Sequence, residues 1–500
     1  MKNYKKVYAA FILAGGLILH GCNGIFDDLA INPNQPSMGA YFTSPSAVND
    51  AVMTMYGYMS TQRCLGASGS KTTIIRSDEA SSNSDYGKPG MFGADLNASY
   101  YTIEQPYTLM YTTASQASYI IETAPSVDFS GNEELRNAYM GEAYFWRAFA
   151  HYYLLINFRN ISPIRQMPRN GDDYVRPLEK PAAVWNFIQE DLAHAKELLP
   201  VKGYWDSKNA GRVTKASAAA LLGKAYLYRS GIEQYYGEDK TTFYSEAAKE
   251  FGDVIDGKYG TYDLTKNYAD NFDVAHENNE ESILEFQFLG DVDNAGFNPG
   301  LATSGLAFDS RGLMLPGAGV GYEGVVHNWL YNAFVNSVDK DGYTDIRMFS
   351  TMIFNDLDAS IHLRNDAGGN PVRLEGPGGY KWEELYPAKN GKEGFATVSN
   401  PLAHSFKAGI RKGIDCSMPT QTEADGTPKL VGVGAGVKEY VYNQPRAHGV
   451  NWRYIRYADV LMMYAEAIVS GGTQASNMTP LQAVNKVRGR VNMSELPSEP

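Results

Sequence analysis

RYIRYADVLMMYAEAIVSGGTQASNMTPLQAVNKVRGR, residues 453–490, is the stretch that decides how the rest of the chain is read. Ala458, Leu461, Ala465 and Ile468 recur at steps of three, four and three, which puts them on one face of a helix. The small residues among them let a second helix approach closely. Gly471 and Gly472 offer the positive backbone angles that stop a helix, and Pro480 behind Thr479 suits the first turn of the next. The stretch therefore predicts an αα-hairpin of two short helices. One hairpin cannot bury its apolar stripe alone, so sister units are expected elsewhere in the chain.

Three earlier pairs answer that expectation. Helical patterns run over 44–60 and 101–124, over 133–158 and 181–199, and over 212–230 and 241–258, the fourth pair being 453–470 with 479–490. Ser44 or Ser46 beside Pro45 starts the first, and Gly231 is read as the end of the fifth. The segment from Ala143 to Ile156 has only Arg147 and His151 as polar breaks apart from tyrosine hydroxyls, so it belongs in a core. His151, four residues from Arg147 on the same face, reads as a satisfied structural histidine, with a catalytic or ligand role as the other option. Small-plus-aromatic helices alternate with amphipathic ones, as in tetratricopeptide-type arrays, although the intervals are irregular. The expected fold is mainly α, with about four αα-hairpins. Residues 290–438 break the pattern: they are rich in Gly, Asn, Asp and aromatics, with one helix near 325–335 and short strand candidates such as 282–288 just before them. A stretch this long inside a helical array reads as functional loops.

Five hundred residues with 44% apolar composition support a sizeable core and exclude a disordered chain. Lys2, Lys5 and Lys6 precede an apolar run from Val7 to Leu19, too short to span a bilayer, that ends in Leu19-His20-Gly21-Cys22. Residues 1–21 therefore read as a secretory leader, and a cysteine directly after a small residue resembles the lipobox of bacterial lipoproteins, in which Cys22 would carry the lipid. Residues 22–43, with Asp27, Asp28 and Asn32-Pro33-Asn34, read as an extended tether. The formal charge is −12 and loses three lysines with the leader. Such a surface repels polyanions, and no basic run with interleaved aromatics is present, so nucleic acid is not an expected partner. Cys64 and Cys416 show no disulfide framework and read as two buried thiols, with a single bridge as the alternative.

The search for chemistry is mostly negative. GASGSKTT (66–73) is not a phosphate loop, because Ser70 stands where a glycine must precede Lys71. There is no nucleophile elbow, no His-Glu-x-x-His and no paired-cysteine metal site. Asp78-Glu79 and Glu383-Glu384 are carboxylate pairs that a glycosidase could use, but acidic surface residues are far commoner. Asp339, Asp341 and Asp345 in VDKDGYTDIR form a weak calcium candidate, since alternating oxygens around a Gly turn suit a hard cation; Gly342 comes too early for an EF-hand. No other cofactor is expected. The positive signal is aromatic: 35 tyrosines, and sugars bind by laying their C–H faces on rings while planar polar groups take the hydroxyls.

With these segments placed, the sequence resembles the SusD-like (SusD/RagB) family of outer-membrane nutrient-binding lipoproteins. The carriers are GEAYFWRAFAHYYLLINF (141–158), VWNFIQEDLAHAKELLP (184–200), GRVTKASAAALLGKAYLYRSG (211–231), FYSEAAKEFGDVIDGKYG (243–260), NNEESILEFQF (278–288), RYADVLMMYAEAIVSGG (456–472) and AVNKVRGR (483–490), in family order behind a lipobox. The resemblance implies a tetratricopeptide-like scaffold over 44–289 and 439–500 carrying an irregular ligand-binding subdomain over 290–438. It implies a cell-surface protein, lipid-anchored in the outer membrane, that binds an oligosaccharide or polysaccharide without bond chemistry. Such a protein delivers its ligand to a SusC-like TonB-dependent transporter. It places recognition residues in the loop after the first helix, here Arg76, Asp78, Asn83, Tyr86, Tyr100 and Tyr101, and in the irregular subdomain, here Phe297, Asn298, Tyr322 and Trp329. A peptide ligand on the same scaffold, and a glycoside hydrolase, are the alternatives.

Overall fold

The structure is a computed structural model. It describes residues 42–61, 63–66, 68–69, 73, 76–81, 97–167, 173, 175–236, 240–288, 308–309, 325–354, 359–365, 367–369, 408–410, 424, 430–432, 438–440, 447–448 and 450–498. The stretch expected to be a leader, the lipidation candidate Cys22, and Cys416 lie outside the described residues.

Among the described residues eight long helices make the body: α1 (Pro45–Ser60), α2 (Tyr101–Thr123), α3 (Glu133–Phe158), α4 (Pro181–Leu198), α5 (Lys215–Tyr236) and α6 (Tyr244–Ile255), then, after the irregular region, α9 (Tyr457–Val469) and α10 (Pro480–Arg490). The irregular region contributes α7 (Asn328–Val335) and α8 (Arg347–Thr351). Each long helix packs chiefly on its neighbours in chain order, with α6 passing the array on to α9. The expected pairs are all present, and the array is tetratricopeptide-like.

Local signals explain the boundaries. Ser44 Oγ accepts the Ala47 N–H at 3.3 Å and Pro45 occupies the first turn of α1. Thr479 and Gln482 cap α10 reciprocally, each side chain taking the other's backbone N–H. α3 is the centre of the core: Phe145, Trp146, Phe149 and Tyr152 are fully buried, and Tyr152 meets Trp185 of α4. Before α1, Phe42 packs edge-on against Tyr119 at 4.7 Å, near the C-terminal end of α2.

Ten short strands among the described residues complete the fold. β1 (Ala80–Ser81), β4 (Val325–Val326), β6 (Ala408–Ile410) and β5 (Met352–Phe354) form an antiparallel sheet in that order. β2 (Ser282–Phe286) pairs with β10 (Trp452–Arg456), β3 (Phe308–Asp309) with β9 (Ala447–His448), and β7 (Leu430–Gly432) with β8 (Lys438–Tyr440).

Buried charge laces the helices together. Arg147 of α3 makes a two-pronged contact with Asp191 of α4, both N···O distances 2.7 Å. Glu142 of α3 takes Arg212 and the Tyr56 hydroxyl of α1. Glu233 of α5, fully buried, accepts from Arg159 and from the Trp185 indole. Each of these carboxylates is compensated in the interior by a guanidinium, and Glu142 and Glu233 each take a second donor as well.

Three expectations need correction. Arg453 to Arg456 is not the start of a helix but strand β10, where Arg453 and Ile455 are buried and alternate with less buried neighbours as a pleated strand requires; the helix begins at Tyr457. α5 does not end at Gly231 but continues to Tyr236, because Glu233 in the extra turn is held by Arg159 and Trp185. Of the glycine pair after α9, only Gly471 has positive φ (108°). Gly472 serves close packing instead: a Cβ there would lie 2.5 Å from the Tyr244 carbonyl oxygen at the start of α6.

The residues around 453–490 converge on Glu281 and Glu285, just before and within β2. Arg490 reaches Glu281 Oε2 at 2.5 Å and Arg456 lies 3.7 Å from Oε1, while Thr265 and Asn271 donate to the same carboxylate. Arg453 sits 3.3 Å from Glu285 and donates to the carbonyls of Asn271 and His276. Glu281 has no exposed surface. Replacing it (Glu281→Ala) leaves two guanidinium groups without their shared anion, and the expected loss in urea unfolding is about 3–5 kcal/mol; a loss under about 1 kcal/mol would mean that the cluster is not holding the junction.

Candidate functional site

The two segments singled out for recognition are far apart in sequence and joined in space. After α1 the chain reaches Arg76 to Ser81, and β1 pairs with β4: Ala80 opposite Val326, Ser81 opposite Val325. The His327 N–H donates to the Glu79 carbonyl at 2.9 Å, continuing the pairing into α7. In the first turn of α7 the Trp329 indole N–H donates to the Asp78 carbonyl at 2.7 Å. The ring remains 50% exposed. Its polar edge is thus consumed by the protein and its orientation fixed, which leaves an aromatic face presented to solvent.

Two residues before Asp78, Arg76 lines a cavity of about 220 Å³ whose other walls include Asn97, Thr102, Tyr153, Asn157 and Phe158. The N-terminus of α2 supplies one side and the C-terminus of α3 the other. Tyr100, partly buried, precedes α2 beside Asn97, whose backbone carbonyl accepts the Tyr100 N–H at 3.1 Å. Phe158 meets the half-exposed ring of Tyr107 edge-on at 4.9 Å. A wall of guanidinium, two carboxamides, a hydroxyl and aromatic rings can hold a neutral polar molecule by hydrogen bonds and ring contact.

Of the sequence candidates, Arg76, Asp78, Tyr100 and Trp329 therefore fall in one region. Tyr101 begins α2, though its side chain is outside the described residues, as are Asn83, Tyr86, Phe297, Asn298 and Tyr322. Sequence reasoning missed Asn97, Thr102, Asn157 and Phe158. For the last two the structure shows why: Ile156 is the first exposed position after a buried run in α3, so the last turn leaves the core there although its sequence stays apolar up to Ile156.

The calcium candidates do not converge on a cation. Asp339 accepts the backbone N–H groups of Asp341 and Tyr343 and pairs with Arg364; burial raises its pKa, but these amides and Arg364 outweigh that and hold the carboxyl below its ordinary value. Asp345 is bound by Arg347 at 2.5 Å. Among the described residues no group of three or more His, Cys, Asp or Glu side chains could hold a metal. Cys64 is a buried free thiol, pushed up to about 12 by burial.

His151 is fully buried and serves the fold. Its Nδ1 lies 2.7 Å from the Arg147 carbonyl and its Nε2 accepts the Ile164 N–H at 2.9 Å, a pattern that requires the proton on Nδ1.

Residues 31–227 match the family model for SusD-like proteins described as starch-binding and associating with the outer membrane, and residues 420–500 match that of the SusD family. The chain belongs to the SusD family. A SusD-like protein of Bacteroides ovatus is 24% identical over 99% of this chain and 78% of its own length. Among solved structures, a SusD superfamily protein from Bacteroides vulgatus superposes with a TM-score of 0.64 at 20% identity, covering 91% of this chain and 81% of its own. A laminarin-binding SusD-like protein gives 0.59 at 20% identity over 91% and 86%. One solved with a xylogluco-oligosaccharide gives 0.57 at 20% identity over 89% and 76%. At these identities the likeness is one of fold.

Burial, above all, pushes the His151 imidazole down to about 3 from its ordinary 6.5, and neighbouring arginines add to it. The folded chain resists a proton that the unfolded chain takes up near pH 6.5, so this contribution to stability is whole above that pH and drains as pH falls toward about 3. In urea unfolding the stability advantage of the natural protein over His151→Gln is expected to narrow by about 1.4 kcal/mol between about pH 7.5 and 5.5. Parallel curves would show that His151 is not held neutral.

Proposed function

We propose that this SusD-family protein captures an oligosaccharide or polysaccharide non-covalently at the cell surface and passes it to a SusC-like TonB-dependent transporter in the outer membrane. Cys22 would carry the lipid anchor; among the described residues no helix is long and apolar enough to cross a membrane. The observation that carries the reading is the Trp329 indole, half exposed and tied by its N–H to the Asp78 carbonyl, next to the Arg76 cavity. A sugar ring needs an aromatic face with fixed orientation and a few polar groups beside it, and no metal or nucleophile. Laminarin and xylogluco-oligosaccharide binding by fold neighbours supports the same class of ligand.

Asp78 and Glu79 are exposed and adjacent, and their backbone carbonyls accept from the Trp329 indole and the His327 N–H, so this segment positions Trp329.

Binding is measured first on an array of neutral glycans. Against the strongest ligand, Trp329→Ala is expected to weaken affinity about tenfold or more, and Trp329→Phe, which keeps a ring but loses the indole bond to Asp78, by a smaller factor. Replacing Tyr86, Tyr100 and Trp329 together with alanine and seeing undiminished binding would place the site elsewhere. New reducing ends after incubation with polysaccharide would make the protein a hydrolase, and peptides enriched in place of glycans would change the ligand class.

A further inference from the structure

The cavity does not end the aromatic surface. Phe158 lines it, and the next residue, Arg159, closes α3 with φ 56° and ψ −59°, a left-handed backbone that a non-glycine residue adopts only under strain. That turn aims the guanidinium at α5. Its two Nη atoms reach the fully buried Glu233 at 3.2 and 3.0 Å, and the Trp185 indole takes the same carboxylate at 2.9 Å. So held, the guanidinium lies 4.1 Å from the centroid of the Tyr236 ring, covering it. Tyr235 stands almost perpendicular to Tyr236, 5.3 Å away.

Neither ring helps to form the core: Tyr235 is 86% exposed and Tyr236 58%. They sit on the final turn of α5, beyond Gly231, and the contacts that hold that turn are those of Glu233. A buried ion pair and a strained backbone thus fix an aromatic corner that the packing of the bundle does not need.

We propose that Arg159, Tyr235 and Tyr236 form a second sugar-binding subsite, taking a pyranose unit of the same neutral glycan chain whose other units lie at Trp329 and the Arg76 cavity. The inference rests on the glycan reading above and extends it: the ligand is a chain long enough to reach from the cavity across the Phe158–Arg159 turn. One tyrosine face stacks on the C–H face of a sugar, the perpendicular ring bounds its edge, and Arg159 keeps the pair from reorienting. A neutral chain also fits the acidic formal charge of the protein, which would oppose a polyanion here.

The test compares the full chain with a Tyr235→Ala/Tyr236→Ala variant and with Trp329→Ala. Isothermal titration uses the neutral polysaccharide that binds best on the array, laminarin and xyloglucan included, and a trisaccharide cut from it. The tyrosine variant is expected to lose about five- to tenfold in affinity for the polymer and nothing for the trisaccharide. Trp329→Ala is expected to lose affinity for both. Because both tyrosines are exposed, the variant keeps its fold, and an unchanged urea midpoint verifies this. Unchanged polymer affinity in the tyrosine variant, with Trp329→Ala impaired, overturns the subsite alone. Absence of binding to every array glycan by the unmodified protein overturns the subsite and the glycan reading together.

Discussion

A single carboxylate governs how the last hairpin joins the rest of this fold. Glu281 is fully buried, Arg490, Thr265 and Asn271 donate to its carboxylate, and Arg456 lies close by, so the desolvated group keeps its partners. Those partners come from the end of α10, the start of α9 and the loop before β2. The Glu281 carbonyl also takes the Tyr457 N–H, at the residue where strand β10 becomes helix α9. Satisfying one charge therefore fixes where the last hairpin starts, where it stops and how it lies on the strand pair β2 and β10. The bundle repeats this logic along its length, with Glu142, Asp191 and Glu233 each joining helices through a guanidinium.

Helical periodicity was legible because the apolar stripes are long and the capping residues are local. Pro45, Pro480 and the Thr479–Gln482 pair act within one turn of themselves. What failed to show was anything decided across the fold. Arg453 to Arg456 looks like a helix lead-in, since nothing in RYIR announces that a partner strand lies some 170 residues earlier at 282–286. Gly231 looks like a stop, because the anchoring of the next turn comes from Arg159 and Trp185 on other helices.

The candidate site follows the same division. The family resemblance pointed to the loop after the first helix and to the irregular subdomain, and residue type picked out Arg76, Asp78, Tyr100 and Trp329 within them, because planar polar groups and rings are what sugars need. Their assembly was invisible, since β1 and β4 are too short to read as a pair and the indole bond to Asp78 spans 251 positions. Asn157 and Phe158 were hidden for a different reason: they end a helix whose other residues belong so plainly to the core that its last turn was read with them.

The pairing of β1 with β4 has a further consequence for how the molecule comes into being. Helices α1 to α6 meet partners that lie close along the chain, so their packing closes short loops and can proceed while later residues are still being added. The β1 strand must wait for Val325 and Val326, and β2 must wait for β10. The frame is thus built early, the β1–β4 pairing beneath the candidate site waits for residue 326, and the Glu281 lock follows when the last helix arrives. An incomplete chain of this kind would have a body before it had a grip.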